Sequence, residues 1–330
     1  MNVDMPMRVG VVIIGRNEGD RLLRCLQSLS AEDHVVVYVD SGSTDGSMNE
    51  ATKLGAVALA LDMKIPFTAA RARNAGFQYL IQASPNLEYV QFVDGDCEVM
   101  PDWINKGIDF LEMHQDVAVV SGRCRERHPE KSIYNLMCDI EWNTPIGEAK
   151  ASGGNAMMRV KAFQDAGGFR NQLIAGEEPE LCVRLRLAGW KIWRLDEEMV
   201  LHDAAMTKFS QWWKRMTRAG YAFAEGAYLH GSAPERHWVK ESIRPWIWGF
   251  GIPLIGLLLL ASNGYKLGLL VLLIYPLQII RLGFRNISYG NKAWVMAFFN
   301  VLSKFPEMMG QIKFFWRLCT GSQGGLIEYK

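Results

Sequence analysis

Six cysteines, at 25, 97, 124, 138, 182 and 319, are all that this chain of 330 residues carries, and no two form a C-x-x-C pair. Neither a zinc site nor a disulfide framework is suggested by that spacing, and a reducing compartment is the simpler expectation. No G-x-x-x-x-G-K-S/T occurs, which excludes a P-loop. Gly15-Arg16-Asn17-Glu18-Gly19-Asp20 lacks the second glycine that a dinucleotide-binding turn needs where the backbone approaches a pyrophosphate. Met1 to Arg8 has no long apolar core, so no cleavable signal peptide is expected. Internal repeats and low-complexity tracts are also missing.

What is present is a repeated alternation of strand, loop and helix. Val9 to Ile14 is an apolar, β-branched run of the kind that forms a buried parallel strand, and Leu22, Leu23, Leu26 and Leu29 follow at helical spacing. Val35 to Val39 leads into Asp40-Ser41-Gly42-Ser43-Thr44-Asp45-Gly46, a loop of helix caps and small residues. Tyr89 to Val93 leads into Asp94-Gly95-Asp96. This pattern predicts a mostly parallel sheet with helices on both faces. Two carboxylates one residue apart at the carboxyl end of a buried strand can project into the ligand crevice and hold one divalent cation, Mg²⁺ or Mn²⁺. In isolation the same tripeptide would read as a turn.

The order of these pieces decides between the two. V-V-I-I-G-R-N-E, V-Y-V-D-S-G-S-T-D-G-S, R-A-R-N-A-G, F-V-D-G-D, S-G-G-N-A-M-M and G-E-E-P-E-L-C-V-R-L-R occur in the order found in family 2 glycosyltransferases of the GT-A fold, which the first two-thirds of the chain resembles. The resemblance implies a Rossmann-like GT-A domain over residues 1–206, with Glu18 and Asp40 touching the nucleoside of a nucleotide-sugar donor. Asp40, as an acceptor for base or ribose donors, would favour uridine. Arg71 would reach nucleotide or phosphate groups, while Arg73 reads equally as a surface charge and Asp45 as a helix cap. Asp94 and Asp96 would serve donor and metal, and His202 would complete the metal shell, since imidazole is a good ligand. Gly153, Gly154 and Asn155 resemble the segment bordering the acceptor pocket.

A sugar hydroxyl is a poor nucleophile at neutral pH, so a carboxylate must take its proton during attack. Gly176-Glu177-Glu178 stands where the family usually has Gly-Glu-Asp, whose last carboxylate is the base. That assigns Glu178, one methylene longer, with Glu177 as the second candidate. The same residues also suit a helix N-terminus reinforced by Pro179. The Q-x-x-R-W of processive synthases is absent, because Gln211-Trp212-Trp213-Lys214-Arg215 has a different order. One sugar added per encounter is therefore expected.

The net charge of +1 conceals an asymmetry: residues 1–206 carry 21 basic and 30 acidic side chains, residues 207–330 carry 15 and 5. Within the basic part, Trp246 to Ala261 and Leu267 to Leu282 are nearly uncharged, each about sixteen residues, slightly short of the ~20 that span a bilayer. Trp246, Trp248 and Tyr275 suit an interfacial belt, and Arg244, Arg281 and Arg285 place positive charge at one end. The expectation is basic amphipathic helices over 207–244, then a membrane anchor over 245–330. That anchor would comprise a hairpin at 246–282, either spanning or lying in the interface, and an amphipathic segment. The catalytic domain would face the cytoplasm at the cytoplasmic membrane, with membrane lipids as partners and no nucleic acid. The expected activity is inverting, metal-assisted transfer of one sugar, from a UDP-sugar, to a hydroxyl of a lipid-linked or other membrane glycan in exopolysaccharide or envelope assembly. A polyprenyl-phosphate glycosyltransferase, or a non-catalytic scaffold with a transferase-like domain, are the alternatives.

Overall fold

The apolar runs fold into adjacent strands because their β-branched residues fill both faces of one sheet. The computed structural model describes residues 8–30, 34–262 and 264–321; the expectation for the first seven residues, and Asn263 of the hairpin turn, lie outside them. The chain divides into two units, Met1–Thr207 and Lys208–Lys330.

The first unit is built on nine strands: β1 (Val9–Gly15), β2 (Val35–Asp40), β3 (Val57–Ala60), β4 (Tyr89–Asp94), β5 (Cys97–Val99), β6 (Val117–Glu126), β7 (Gly147–Ala149), β8 (Ala156–Arg159) and β9 (Lys191–His202). Their order is β3-β2-β1-β4-β8-β6-β9-β5, with β7 also paired to β9. The β3-β2-β1-β4 half is wholly parallel. Beyond it β8 runs antiparallel to both β4 and β6, so the sheet is mixed. Side chains alternate across it. Val9, Val11 and Ile13 of β1 pack with Leu22, Leu26, Trp103 and Leu111 on one face. Val12 packs with Phe77, Leu80, Leu181 and Leu185 on the other. Helices thus cover both faces, as the alternation predicts.

After β3 the chain crosses back and β4 pairs on the other side of β1, creating a topological switch point, where open α/β sheets bind ligands. Register places Asp40 opposite Gly15, and Asp94 opposite Ile14. The Ser41 amide donates to Gly15 O at 3.0 Å and the Gly95 amide to Ile14 O at 2.8 Å. The two acidic strand ends therefore flank the end of β1.

The second unit is helical. Phe209–His230 and Lys304–Thr320 are its longest single helices. Two continuous helical stretches, Val239–Ala261 and Tyr265–Arg285, are long and apolar enough to cross a membrane by length and composition, at 23 and 21 residues. They exceed the sixteen-residue runs because helix continues over residues 239–245 in the first and over residues 265–266 and 283–285 in the second. Pro245 has no N–H to donate, and the turn beyond it, Trp246–Gly251, widens into a π-helix. Only 17% and 11% of their most apolar stretches are buried, unlike the core helices of a soluble domain. The two pack closely at glycines: a Cβ at Gly268 would lie 2.8 Å from Gly256 O.

Candidate active site

The loops above β1 and β2 are stitched together first. Asn17 Oδ1 accepts from the Thr44 amide at 2.8 Å, the Asn17 amide donates to Ser43 Oγ at 2.9 Å, and the Gly19 amide donates to Asp45 Oδ2 at 3.0 Å. The other Asp45 oxygen accepts from the Ser47 amide at 3.0 Å, opening the helix Ser47–Lys53. Asp45 therefore braces the loop just ahead of that helix, whose N-cap is Gly46 rather than Asp45. Asp40 is buried: Oδ1 accepts from Tyr38 Oη at 2.9 Å, and Oδ2 from the Gly42 and Ser43 amides at 2.9 and 2.8 Å. Its carboxylate holds the loop, so the geometry lends no weight to a uridine preference through Asp40. Glu18 pairs with Arg21 at 2.6 Å.

On the helix Ala69–Ala83, two arginines have opposite surroundings. Arg71 donates to Ile65 O, Pro66 O and Asp62 O at 2.8, 2.9 and 3.0 Å, bracing the loop that follows β3. Arg73 is the one at the centre, 2% exposed. It donates to Asp94 Oδ1 at 2.8 Å and meets Glu177 Oε1 at 2.9 Å and Glu178 Oε1 at 2.8 Å. The reading of Arg73 as a surface charge is corrected by this burial. The sequence signal was present in R-A-R-N-A-G, but residues two apart on a helix face different ways, and composition does not say which faces in.

Gly176, at φ 80°, starts the helix Glu177–Leu187 and turns both glutamates toward Arg73. Their side chains differ in access: Glu177 is 3% exposed and Glu178 13%. Burial, and then repulsion from Glu177, pushes the Glu178 carboxyl up to about 7 against the pull of Arg73. One guanidinium among three carboxylates leaves excess negative charge, which favours a proton on the most perturbed of them.

Gly154 lies directly over this cluster. A Cβ there would overlap Arg73 Nη2 and sit 3.0 Å from both Asp94 Oδ2 and Glu178 Oε1. Gly153 faces open space. Asn155, predicted beside the acceptor, is buried under the Asp94 turn, where Oδ1 accepts from the Asp94 amide at 3.0 Å and Nδ2 donates to Cys97 Sγ at 3.4 Å. Gly154→Ala should therefore push Arg73 off its partners and lower turnover by roughly 10²-fold, the cost of displacing catalytic groups by about an ångström. Steady-state kcat on the purified variant checks this, and an unchanged value would show that the cluster tolerates the methyl.

Asp96 has a different partner. The short strand β5 pairs antiparallel with the end of β9, opposing Cys97 to His202. His202 Nε2 comes within 3.2 Å of Asp96 Oδ2. Trp142 stacks on the imidazole, with centroids 4.5 Å apart and planes at 5°. Sequence reasoning missed Trp142, whose only signal is that it is an aromatic just beyond a helix. Asp96, Cys97 and His202 offer ligand atoms within 4.8 Å of one another. Two atoms bound to one Mg²⁺ at about 2.1 Å in octahedral array would sit ~3.0 Å apart, close to the Asp96–His202 separation. The carboxylate and the imidazole of this group suit a hard or borderline cation, while burial pushes the neighbouring Cys97 thiol up. Asp94 pairs through Oδ1 with Arg73 and is not in this group.

Comparison with known proteins adds independent information. Residues 10–167 match the family described as Glycosyl transferase family 2. Glycosyltransferase AglE of Haloferax volcanii is 24% identical over 225 residues, covering 64% of this chain and 71% of that protein. Glucomannan 4-beta-mannosyltransferase 1 of Oryza sativa subsp. japonica is 29% identical over 131 residues, 36% of this chain, and the match spans about a quarter of that relative's length. Among solved structures, mannosyltransferase PcManGT from Pyrobaculum calidifontis, in complex with GDP-Man and Mn²⁺, superposes with a TM-score of 0.63 at 16% identity, covering 95% of this chain and 88% of that one. Residues 1–349 of TarS from S. aureus give 0.51 at 15% identity, covering 96% and 92%. At such identities the structures establish a shared fold.

Proposed function

Residues 10–167 of this chain match glycosyl transferase family 2, and from that premise we propose that it is a glycosyltransferase that adds one sugar from a nucleotide-sugar donor, with inversion, to a hydroxyl of a membrane-linked glycan. The observation that carries the reading is the Glu178 carboxyl, held on a buried arginine at the switch point with its proton affinity raised. A base that titrates near working pH is the form that hydroxyl activation needs. Glu177 is nearly inaccessible and is better suited to anchoring Arg73 than to meeting an acceptor. A single carboxylate base without a second nucleophile supports one in-line displacement, hence inversion. A polyprenyl phosphate, already ionised, would need no such base.

Asp96 and His202 are the residues that would hold a divalent cation, and the Mn²⁺ in the PcManGT complex supports its use here. When bound, that cation would offset the charge developing on the departing diphosphate as a Lewis acid. Arg73 holds Asp94, Glu177 and Glu178 in register, so that the base lies where the chain has no side chain at Gly154. The donor is a nucleoside diphosphate sugar. A uridine donor follows the family resemblance, while the mannosyltransferase relatives favour GDP-mannose as the second reading. Hydrolysis of a panel of UDP- and GDP-sugars by the purified protein with Mg²⁺ or Mn²⁺ tests both. One sugar should be cleaved well above the rest, and no cleavage of any would overturn the donor class.

The two apolar helical stretches support a hairpin whose arginine-bearing ends lie in the cytoplasm. At 1.5 Å per residue, 23 and 21 residues reach ~35 and ~32 Å, enough for a ~30 Å hydrocarbon core. High salt should then leave the full-length chain in membranes, because screening weakens charge contacts but not apolar insertion. Truncation after Glu241 should release it. Extraction of the intact protein by salt alone would point to peripheral binding.

A further inference from the structure

A cavity of about 400 Å³ in the second unit is lined by Arg244, Gln278, Arg281, Arg285, Asn300 and Lys304, among other residues, and among the described residues by no carboxylate. That volume lies within the ~300–1,000 Å³ of small-ligand sites. Lys304 already has a partner, with Nζ 2.6 Å from Glu307 Oε2. Among the described residues, no ion pair or hydrogen bond engages the side chains of Arg244, Arg281 and Arg285. Three guanidinium groups thus face one space with no counter-charge on its walls.

The position of the cavity in the helical hairpin gives the ligand its class. Arg244 is near the start of the stretch Val239–Ala261, while Gln278, Arg281 and Arg285 are in the last turns of Tyr265–Arg285. All four therefore belong to the open end of the hairpin, opposite the turn. If the hairpin spans a bilayer as proposed above, that end is at the headgroup level. Basic pockets between helices at this depth suit phosphorylated headgroups. The guanidinium fork matches phosphate oxygens in pairs, and the Gln278 and Asn300 amides add neutral donors.

We propose that this cavity is a binding site for the phosphate group of an anionic lipid. Three uncompensated positive charges favour a diphosphate over a singly charged phosphodiester. The diphosphate of a lipid-linked acceptor is accordingly the preferred source and a bulk phospholipid the lesser one. No catalytic step is involved, so the site stands or falls separately from the assignment of Glu178.

The test uses full-length protein in neutral detergent micelles with a chelator present, so that the donor site cannot take diphosphate through a cation. It is titrated with farnesyl diphosphate, dioctanoyl phosphatidylglycerol and inorganic diphosphate. Farnesyl diphosphate should bind at least tenfold more tightly than inorganic diphosphate. Arg281→Gln with Arg285→Gln should weaken it by roughly 10²-fold, about tenfold for each charge-assisted contact removed. Lysine at the same two positions should lose less, since charge is kept and the fork is not. Arg244→Gln alone, exposed like Arg281 and Arg285, guards against a double variant that fails to fold and should cost about tenfold. Nucleotide binding with Mn²⁺ should be unchanged in all of them. Equal binding of phosphatidylglycerol and farnesyl diphosphate, with the same arginine dependence, would support the site with bulk phospholipid as its occupant. Equal binding of inorganic diphosphate would overturn the lipid assignment, and lipid affinity indifferent to the arginines would overturn the site.

Discussion

Asp96→Asn is expected to abolish sugar transfer, with kcat falling by about 10³-fold or more, the several kcal/mol that a Lewis-acid contact supplies. Asparagine keeps the shape of the side chain and a carbonyl oxygen within reach of His202, whose Nε2 is 3.2 Å from the carboxylate. What it removes is the negative charge that makes the pair a cation site. Nucleotide affinity should therefore lose its dependence on Mn²⁺, while any metal-free affinity stays. The measurement is nucleotide-diphosphate binding by calorimetry with and without Mn²⁺, beside single-turnover transfer. His202→Ala should be milder and partly rescued by raising Mn²⁺, because one of two protein ligands remains. Near-normal transfer by Asp96→Asn at saturating Mn²⁺ would sink the assignment. If instead the variant loses thermal stability along with binding, the pair with His202 is structural, and an apo melting curve separates the two.

That Asp96 was legible in the sequence, while its partner relations were not, has a geometric cause. A β-branched run followed by acidic residues fixes a strand end locally, so Asp40, Asp94 and Asp96 were placed by short-range pattern alone. The partners that fix Asp94 and Asp96 come from segments 61 and 106 positions away, Asn155 and His202. No periodicity encodes those distances. Asp40, Arg71 and Asn155 each use polar atoms to hold a loop or turn, Asp40 and Arg71 locally and Asn155 across 61 positions. Arg73 is the converse. Its inward face is decided by the missing side chain at Gly154 and by the Phe169 ring, 5.7 Å from its guanidinium, neither visible from the helix that carries it. The antiparallel insertion of β8 likewise follows from pairings that a parallel alternation does not foretell. The apolar helices outrun their nearly uncharged stretches because helical hydrogen bonding continues past charged residues.

Glu178→Gln should leave donor binding intact and reduce turnover by roughly 10²–10⁴-fold, the range for loss of a general base. The amide is isosteric and can still accept from Arg73, so the cluster need not rearrange. The wild-type enzyme should carry a pH signature of the same group. A base works only when deprotonated, and burial beside Glu177 raises the Glu178 carboxyl to about 7. Turnover should then fall as pH drops below about 7, and the residual activity of Glu178→Gln should lack that limb. Glu177→Gln is expected to differ in kind: it removes repulsion from Glu178 and weakens the grip on Arg73. Its acidic limb should therefore move to lower pH, with a smaller loss in turnover and a lower melting temperature. A dead Glu177→Gln beside an active Glu178→Gln would move the base by one position along the helix start. If neither variant loses turnover and neither changes the pH profile, no carboxylate takes the acceptor proton. An acceptor already carrying its negative charge, a polyprenyl phosphate, would then replace the hydroxyl.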